Sequence, residues 1–257
     1  MKRILAMFLV APSMLFAQSR FEGTWRVDPQ STQYIGHEKF LLQDGVYRCS
    51  SCVPLIEVKA DGKDHTISGS PYFDAVSVRV LDEQTVEIVN KKAAKPAGTS
   101  KLTVSKDGNT LITEFTFVTD SGQSGSGKYR STRIGTAPDR ANKISGEWQP
   151  GKLESASESN LTVTYRVRED GLSMSDQVGG SYVANFDGKD YPYKGDPGIT
   201  SVSLRKLDAN TIEETAKRNG KVVTVSRLSV APDGQTLSAS IEDRLGGRAF
   251  KWTARKQ

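Results

Sequence analysis

The feature that most constrains this chain is that it repeats itself. At a fixed offset of 126, Asp61-Gly62-Lys63-Asp64 recurs as Asp187-Gly188-Lys189-Asp190, and Gly69 and Pro71 recur as Gly195 and Pro197. Val76, Ser77 and Arg79 recur as Val202, Ser203 and Arg205; Asp107-Gly108 and Thr110-Leu111 recur as Asp233-Gly234 and Thr236-Leu237. Well over a third of the 53 positions from 59 to 111 are identical to their counterparts, without a gap. The openings match as well, Phe21-Glu22-Gly23-Thr24-Trp25 against Ile144-Ser145-Gly146-Glu147-Trp148. Two copies of this length predict tandem domains, because a stacked solenoid needs three or more units. The chain divides into a leader over 1–19, repeat 1 over 20–135, a polar linker over 136–143 that contains Pro138, and repeat 2 over 144–257.

Within each repeat the pattern is that of β-structure. Val76, Val78 and Val80 alternate with Ser77 and Arg79; Leu161, Val163, Tyr165 and Val167 alternate with Thr162, Thr164 and Arg166. A period of two puts one face of a strand on a core and the other in water. Asp-Gly or Asn-Gly pairs begin at 44, 61, 107, 170, 187, 219 and 233. They suit hairpins, whose central residues take positive φ. No ten-residue amphipathic helix interrupts residues 20–257. The expected fold class is all-β: two tandem antiparallel meander barrels of about eight to ten strands each, with a β-sandwich as the rival architecture.

Lys2 and Arg3 precede an apolar run from Ile4 to Phe16, followed by small residues with a cleavage position after Ala17 or Ser19. That is the layout of a secretory signal peptide, and the run is too short to span a bilayer. It predicts export to the periplasm or the medium, with no lipobox cysteine and no membrane span. Removing Lys2 and Arg3 leaves 33 basic and 30 acidic residues, so the formal charge falls from +5 to +3. The remaining cations are scattered along strands rather than clustered, which argues against a nucleic-acid partner.

With the barrel pattern in place, the opening Phe21-Glu22-Gly23-Thr24-Trp25 resembles the Gly-x-Trp start of the calycins, the lipocalins and fatty-acid-binding proteins. The resemblance implies barrels closed by Gly23 and Trp25 and by Gly146 and Trp148. It also implies basic residues of the last strands, Arg133 and Arg255, stacked on the two tryptophans; a cation over an indole face is worth about 0.5–2 kcal/mol. The chain departs from the fatty-acid-binding pattern in two respects. Residues 28–40 and 150–160 are too short and polar for a helical lid. The Arg-x-Tyr carboxylate clamp is absent from Lys128-Tyr129-Arg130 and from Lys251-Trp252-Thr253. The resemblance therefore supports a fold and leaves ligand-binding residues unassigned.

The remaining motifs are read for their chemistry. Cys49 and Cys52 are the only cysteines, and export predicts a disulfide. Three residues of straight strand span about 10 Å, beyond the reach of that bond, so Ser50-Ser51 must turn. At the common offset their counterparts are Ser175 and Val178, so the pair belongs to repeat 1 alone. A redox-active pair normally sits at a helix N-terminus, and none is predicted here. Val53 stands where covalent haem attachment needs histidine. His37 and His65 flank the cysteines in an order unlike a zinc finger. Residues 122–128 fit seven places of a phosphate-binding loop, but Tyr129 replaces the metal-binding hydroxyl and no helix follows, so a flexible hairpin tip is expected. Asp61, Asp64, Asp187 and Asp190 read as turn residues rather than a calcium loop.

The resulting expectation is an exported, non-catalytic protein without cofactor or metal, holding a small apolar or amphipathic molecule in one or both barrels. The alternatives are a structural or interaction protein of the envelope with solid-packed barrels, and a thiol-dependent enzyme using Cys49 and Cys52.

Overall fold

The computed structural model describes residues 20–257, so the expected signal peptide over 1–19 lies outside the described residues. The chain forms two antiparallel barrels of ten strands each. The only helical pieces among the described residues are the 3-10 turns Pro29–Ser31 and Glu158–Asn160. No helix among them is long and apolar enough to cross a membrane.

The first barrel begins at an edge strand, Ile56–Lys59, and passes through Val46–Cys49 and Glu38–Gln43 to Gly146–Ala156. It continues through Ser124–Ile134, Thr110–Val118, Lys95–Val104, Thr85–Lys92 and Ala75–Val80 to the short edge strand His65–Thr66. No ladder joins the two edges, so this barrel is nearly closed. In the second barrel Gly23–Val27 pairs with Thr162–Val167 on one side and Arg248–Lys256 on the other, which closes the ring. Between those two strands run, in chain order, the seven strands from Gly171–Asp176 to Thr236–Asp243. Gln33–Ile35 adds to the free part of Arg248–Lys256 as the chain crosses to the first barrel.

The sequence repeats 20–135 and 144–257 therefore do not coincide with the barrels. Each repeat sends its opening strand into the other barrel. Gly23–Val27 completes the barrel made otherwise of repeat 2, and Gly146–Ala156 pairs with Glu38–Gln43 and Ser124–Ile134 of repeat 1. The two Gly-x-Trp openings place the same buried indole and the same indole-to-carbonyl hydrogen bond in the two barrels.

In each barrel a cation lies over the buried tryptophan. Trp25 and Trp148 are both fully buried, and their Nε1 atoms donate to the carbonyls of Phe21 and Ile144 at 3.0 and 2.9 Å. Arg133 stacks on Trp148, 4.0 Å from the ring centre, as the strand exchange dictates. Over Trp25 the cation is Lys256, at 5.1 Å, and not Arg255. The alternation decides this. Ala254 is buried, so Lys256 shares its inward face, while Arg255 points out and donates to Thr236 Oγ1. Gly23 and Gly146 share φ of +132°, where a side chain is strained. A Cβ there would also meet Lys256 Cε at 2.8 Å and Arg133 Nη1 at 2.4 Å.

Each barrel has its own apolar core, one around Trp148 with Val76, Val78 and Leu111, the other around Trp25 with Val202, Leu204 and Leu237. Among the dipeptide turns, Asp44-Gly45 and Asn219-Gly220 have both residues at positive φ, as a tight hairpin demands. Gly171 instead lies within a strand, with its Cα face against the Ala184 carbonyl. The glycine-rich stretch 122–128 is only partly a hairpin tip. Its strand begins at Ser124, and Gly125 and Gly127 leave room for the rings of Phe117 and Phe115 directly across the ladder.

Candidate functional site

The lumen of the first barrel holds a cavity of about 270 Å³, close to the lower end of the range for small-molecule pockets. Strand alternation determines what lines it. On Glu38–Gln43 the inward residues are Glu38, Phe40 and Leu42; on Val46–Cys49 they are Tyr47 and Cys49. The apolar part of the lining is Phe40, Tyr47, Ile56, Phe73, Ile88 and Leu102. Deeper in the barrel the same faces carry Val78, Val86, Val104 and Leu111, packed over Trp148.

The polar part comes from several separate strands, Ser100 and Arg248 among its members. Glu38 stands opposite Trp148 in the ladder, which fixes it on the inner face. It accepts hydrogen bonds from the Tyr129 hydroxyl at 2.5 Å and the Ser131 hydroxyl at 3.2 Å. Burial pushes its carboxyl above the ordinary range; those two hydroxyls, and more weakly Arg248, pull it back. Burial, then the neighbouring Glu38 charge, pushes the Tyr129 phenol well up, so it is a donor throughout the neutral range. Among the described residues no cation lies within ion-pair distance of Glu38. Thr113 is 4% exposed. Its Oγ1 and the Oδ1 of Asn90 are two of three buried side-chain polar atoms without a hydrogen-bond partner among the described residues. Thr113 sits near the Tyr129 phenol, but no hydrogen bond of ordinary geometry joins them. Buried polar groups are normally paired, which makes this concentration informative.

Register pairing between the barrels sharpens the contrast. The counterparts of Glu38, Asn90, Thr113, Tyr129 and Ser131 are Val163, Ala216, Ala239, Trp252 and Ala254. Five polar positions in one lumen are thus apolar in the other. The second barrel has its own inward carboxylate, Glu214, at the position of Ile88. It accepts from the Tyr182 hydroxyl at 2.5 Å, and burial pushes its carboxyl up.

The mouth of the first barrel faces the second. Arg248, on the second barrel's last strand, lines the lumen, and its Nη2 pairs with Asp243 at 3.1 Å. A further cavity of about 380 Å³ lies between the barrels, bordered by Tyr72 and Phe117 on one side and Asp176, Tyr193 and Asp196 on the other. It shares Phe73 and Asn90 with the lumen.

Cys49 and Cys52 form a disulfide, with Cα atoms 5.4 Å apart. Ser50-Ser51 makes the turn that the spacing demands, and Ser51 Oγ accepts from the Lys39 amide at 2.9 Å. The ladder sets Met174, rather than Ser175, opposite the corresponding position, so the offset shortens by one residue here. The disulfide forms part of the lumen lining. The histidines are apart from it and from each other: His37 pairs with Glu147 at 2.7 Å and His65 with Asp61 at 2.8 Å. Asp64 and Asp190 each pair with a lysine, Lys91 and Lys217, and Asp61 and Asp187 accept amides within their own turns.

Sequence reasoning left the lumen residues unassigned because they form no local motif. A signal was nevertheless present: at the common offset Asn90 faces Ala216 and Thr113 faces Ala239 within otherwise matching strands. The fold and site define a class, a double β-barrel with one polar-lined lumen. No protein-family model matches the chain, and no curated protein sequence matches it.

Proposed function

We propose that this chain is an exported, non-catalytic binding protein that holds one small amphipathic molecule in the lumen of the first barrel. The observation that carries the reading is the 270 Å³ cavity itself. Its lining includes the partly buried carboxylate Glu38 and two residues with an unpartnered buried oxygen, Asn90 and Thr113, at positions that are apolar in the second barrel. An unpaired buried polar atom costs about 1–3 kcal/mol, and a bound polar head would recover that. The disulfide agrees with an oxidising compartment. The second barrel supports the site by closing over its mouth, with Arg248 as its contribution.

Native mass spectrometry of the full chain purified from its own host tests this. The expected result is a non-covalent adduct of a few hundred daltons, lost when the lumen is filled by Ser100→Phe, since Ser100 lines the cavity. An S100F variant that folds and keeps the adduct would place the ligand elsewhere. A wild-type chain without an adduct, and without uptake of amphipathic probes, would leave the solid-packed reading in its place.

A further inference from the structure

We infer that the molecule held in the first barrel is a small organic cation, an ammonium group on an apolar body, with the ammonium lodged among Glu38, Asn90 and Thr113. The inference rests on the lumen being the binding site proposed above, and it names the chemical class. Glu38, Asn90 and Thr113 all belong to the lining of one cavity of about 270 Å³, beside the hydroxyl-bearing Ser100 and Tyr129. Asn90 Oδ1 and Thr113 Oγ1 are buried and have no hydrogen-bond partner among the described residues. Glu38 has only neutral donors, Tyr129 and Ser131. A partly buried carboxylate without a cation is unusual, because such charges are normally paired.

The charged and titratable groups facing this space are Glu38, Tyr47, Tyr129 and Arg248. Tyr47 and Tyr129 are neutral, because burial raises both phenols. Arg248 is held by Asp243 through Nη2 at 3.1 Å and Nε at 3.3 Å, so its charge is already matched. An anionic head would meet the Glu38 charge. A hydroxyl head offers a single proton. An ammonium offers three protons and a charge, which matches the acceptors present. The rings of Phe40, Tyr47 and Phe73 and the side chains of Ile88 and Leu102 supply the apolar wall for its body.

The test uses three probes of the same length on the full chain at pH 7, by isothermal titration calorimetry: octylammonium, 1-octanol and octanoate. Octylammonium is expected to bind at least about tenfold tighter than octanol, with octanoate weakest. Glu38→Gln, nearly isosteric, is expected to bring the amine to within about threefold of octanol while octanol itself changes little. Thr113→Val is expected to weaken the amine more than the alcohol, and it decides the matter if E38Q fails to fold by circular dichroism. Octanol or octanoate binding as tightly as the amine would overturn the class and leave lumen binding standing. So would an unchanged preference in E38Q, or in T113V where that variant decides. No binding of any probe to a chain whose lumen is empty by native mass spectrometry would overturn both readings.

Discussion

At the residue scale, the two inward carboxylates behave as opposites of ordinary surface acids. Glu214 is crowded by Tyr165, Tyr182 and Tyr193, and burial raises its carboxyl above the usual value despite the hydrogen bond from Tyr182. The consequence for stability has a definite sign. A native state that holds a proton more tightly than the unfolded chain is favoured at low pH. That advantage is complete below the unfolded carboxyl range, near pH 4, and is lost as pH rises through the folded value. Glu214→Gln keeps an acceptor for Tyr182 and removes the charge. It should melt above the wild type at pH 7, with the difference shrinking towards pH 4. Thermal melts from pH 4 to 8 check this, and a wild type more stable than E214Q at neutral pH would refute it. Glu38 has the same sign, but it also has a proposed task. The sequence does not distinguish these residues from solvated acids, because only the ladder shows which way each points, and Glu214 even adjoins the outward Glu213. The cation over Trp25 shows the same limit. Arg255 and Lys256 are adjacent basic residues, and the one that reaches the indole is decided by alternation from Ala254.

At the scale of elements, the sheet grammar was readable because period-two patterning and Gly-containing turns are local. The expected eight to ten strands per barrel, the turn at Asp44-Gly45 and the turn at Asn219-Gly220 all follow from it, and each barrel has ten. One hairpin carries no such dipeptide. Thr85–Lys92 and Lys95–Val104 are joined by Ala93 and Ala94, both at positive φ, 49° and 63°. Repeat 2 uses Asn219 and Gly220 at the matching place, with φ of 51° and 79°. Alanine in that region costs roughly 1–2 kcal/mol per residue, so the first repeat carries strain that the second does not. The double substitution A93N/A94G should therefore stabilise the protein by about 1–2 kcal/mol, read as a rise in the urea midpoint at unchanged slope. A lower midpoint would mean that the alanines make contacts that outweigh their backbone cost. The glycines of 125 and 127 show the reverse lesson. In sequence they suggest a mobile tip, yet they make room for Phe117 and Phe115 across the ladder, a pairing visible only once the register is known.

At the scale of the whole molecule, the duplication was legible and the exchange of strands was not. The openings Gly23-Thr24-Trp25 and Gly146-Glu147-Trp148 are so alike that nothing in them says which barrel each enters. The partner is chosen by tertiary connection alone. It follows that residues 20–143 lack the strand that joins Glu38–Gln43 to Ser124–Ile134, and carry Gly23–Val27 with no slot to fill. Expressed alone, that fragment should fail to form a monomeric barrel, and should either stay unfolded or pair with a second copy. Size exclusion with circular dichroism decides between these outcomes, and a folded monomer would contradict the arrangement. The exchange also has a consequence in time. A chain emerging from its N-terminus cannot finish the first barrel until residue 156 is free, and Gly23–Val27 waits for Arg248–Lys256, more than 220 residues later. Two apolar indoles and several open strand edges must be shielded through that interval, when such surfaces are most prone to aggregate. The molecule is thus committed to assembling last what it makes first, and its folding yield depends on whatever protects Trp25 during the wait.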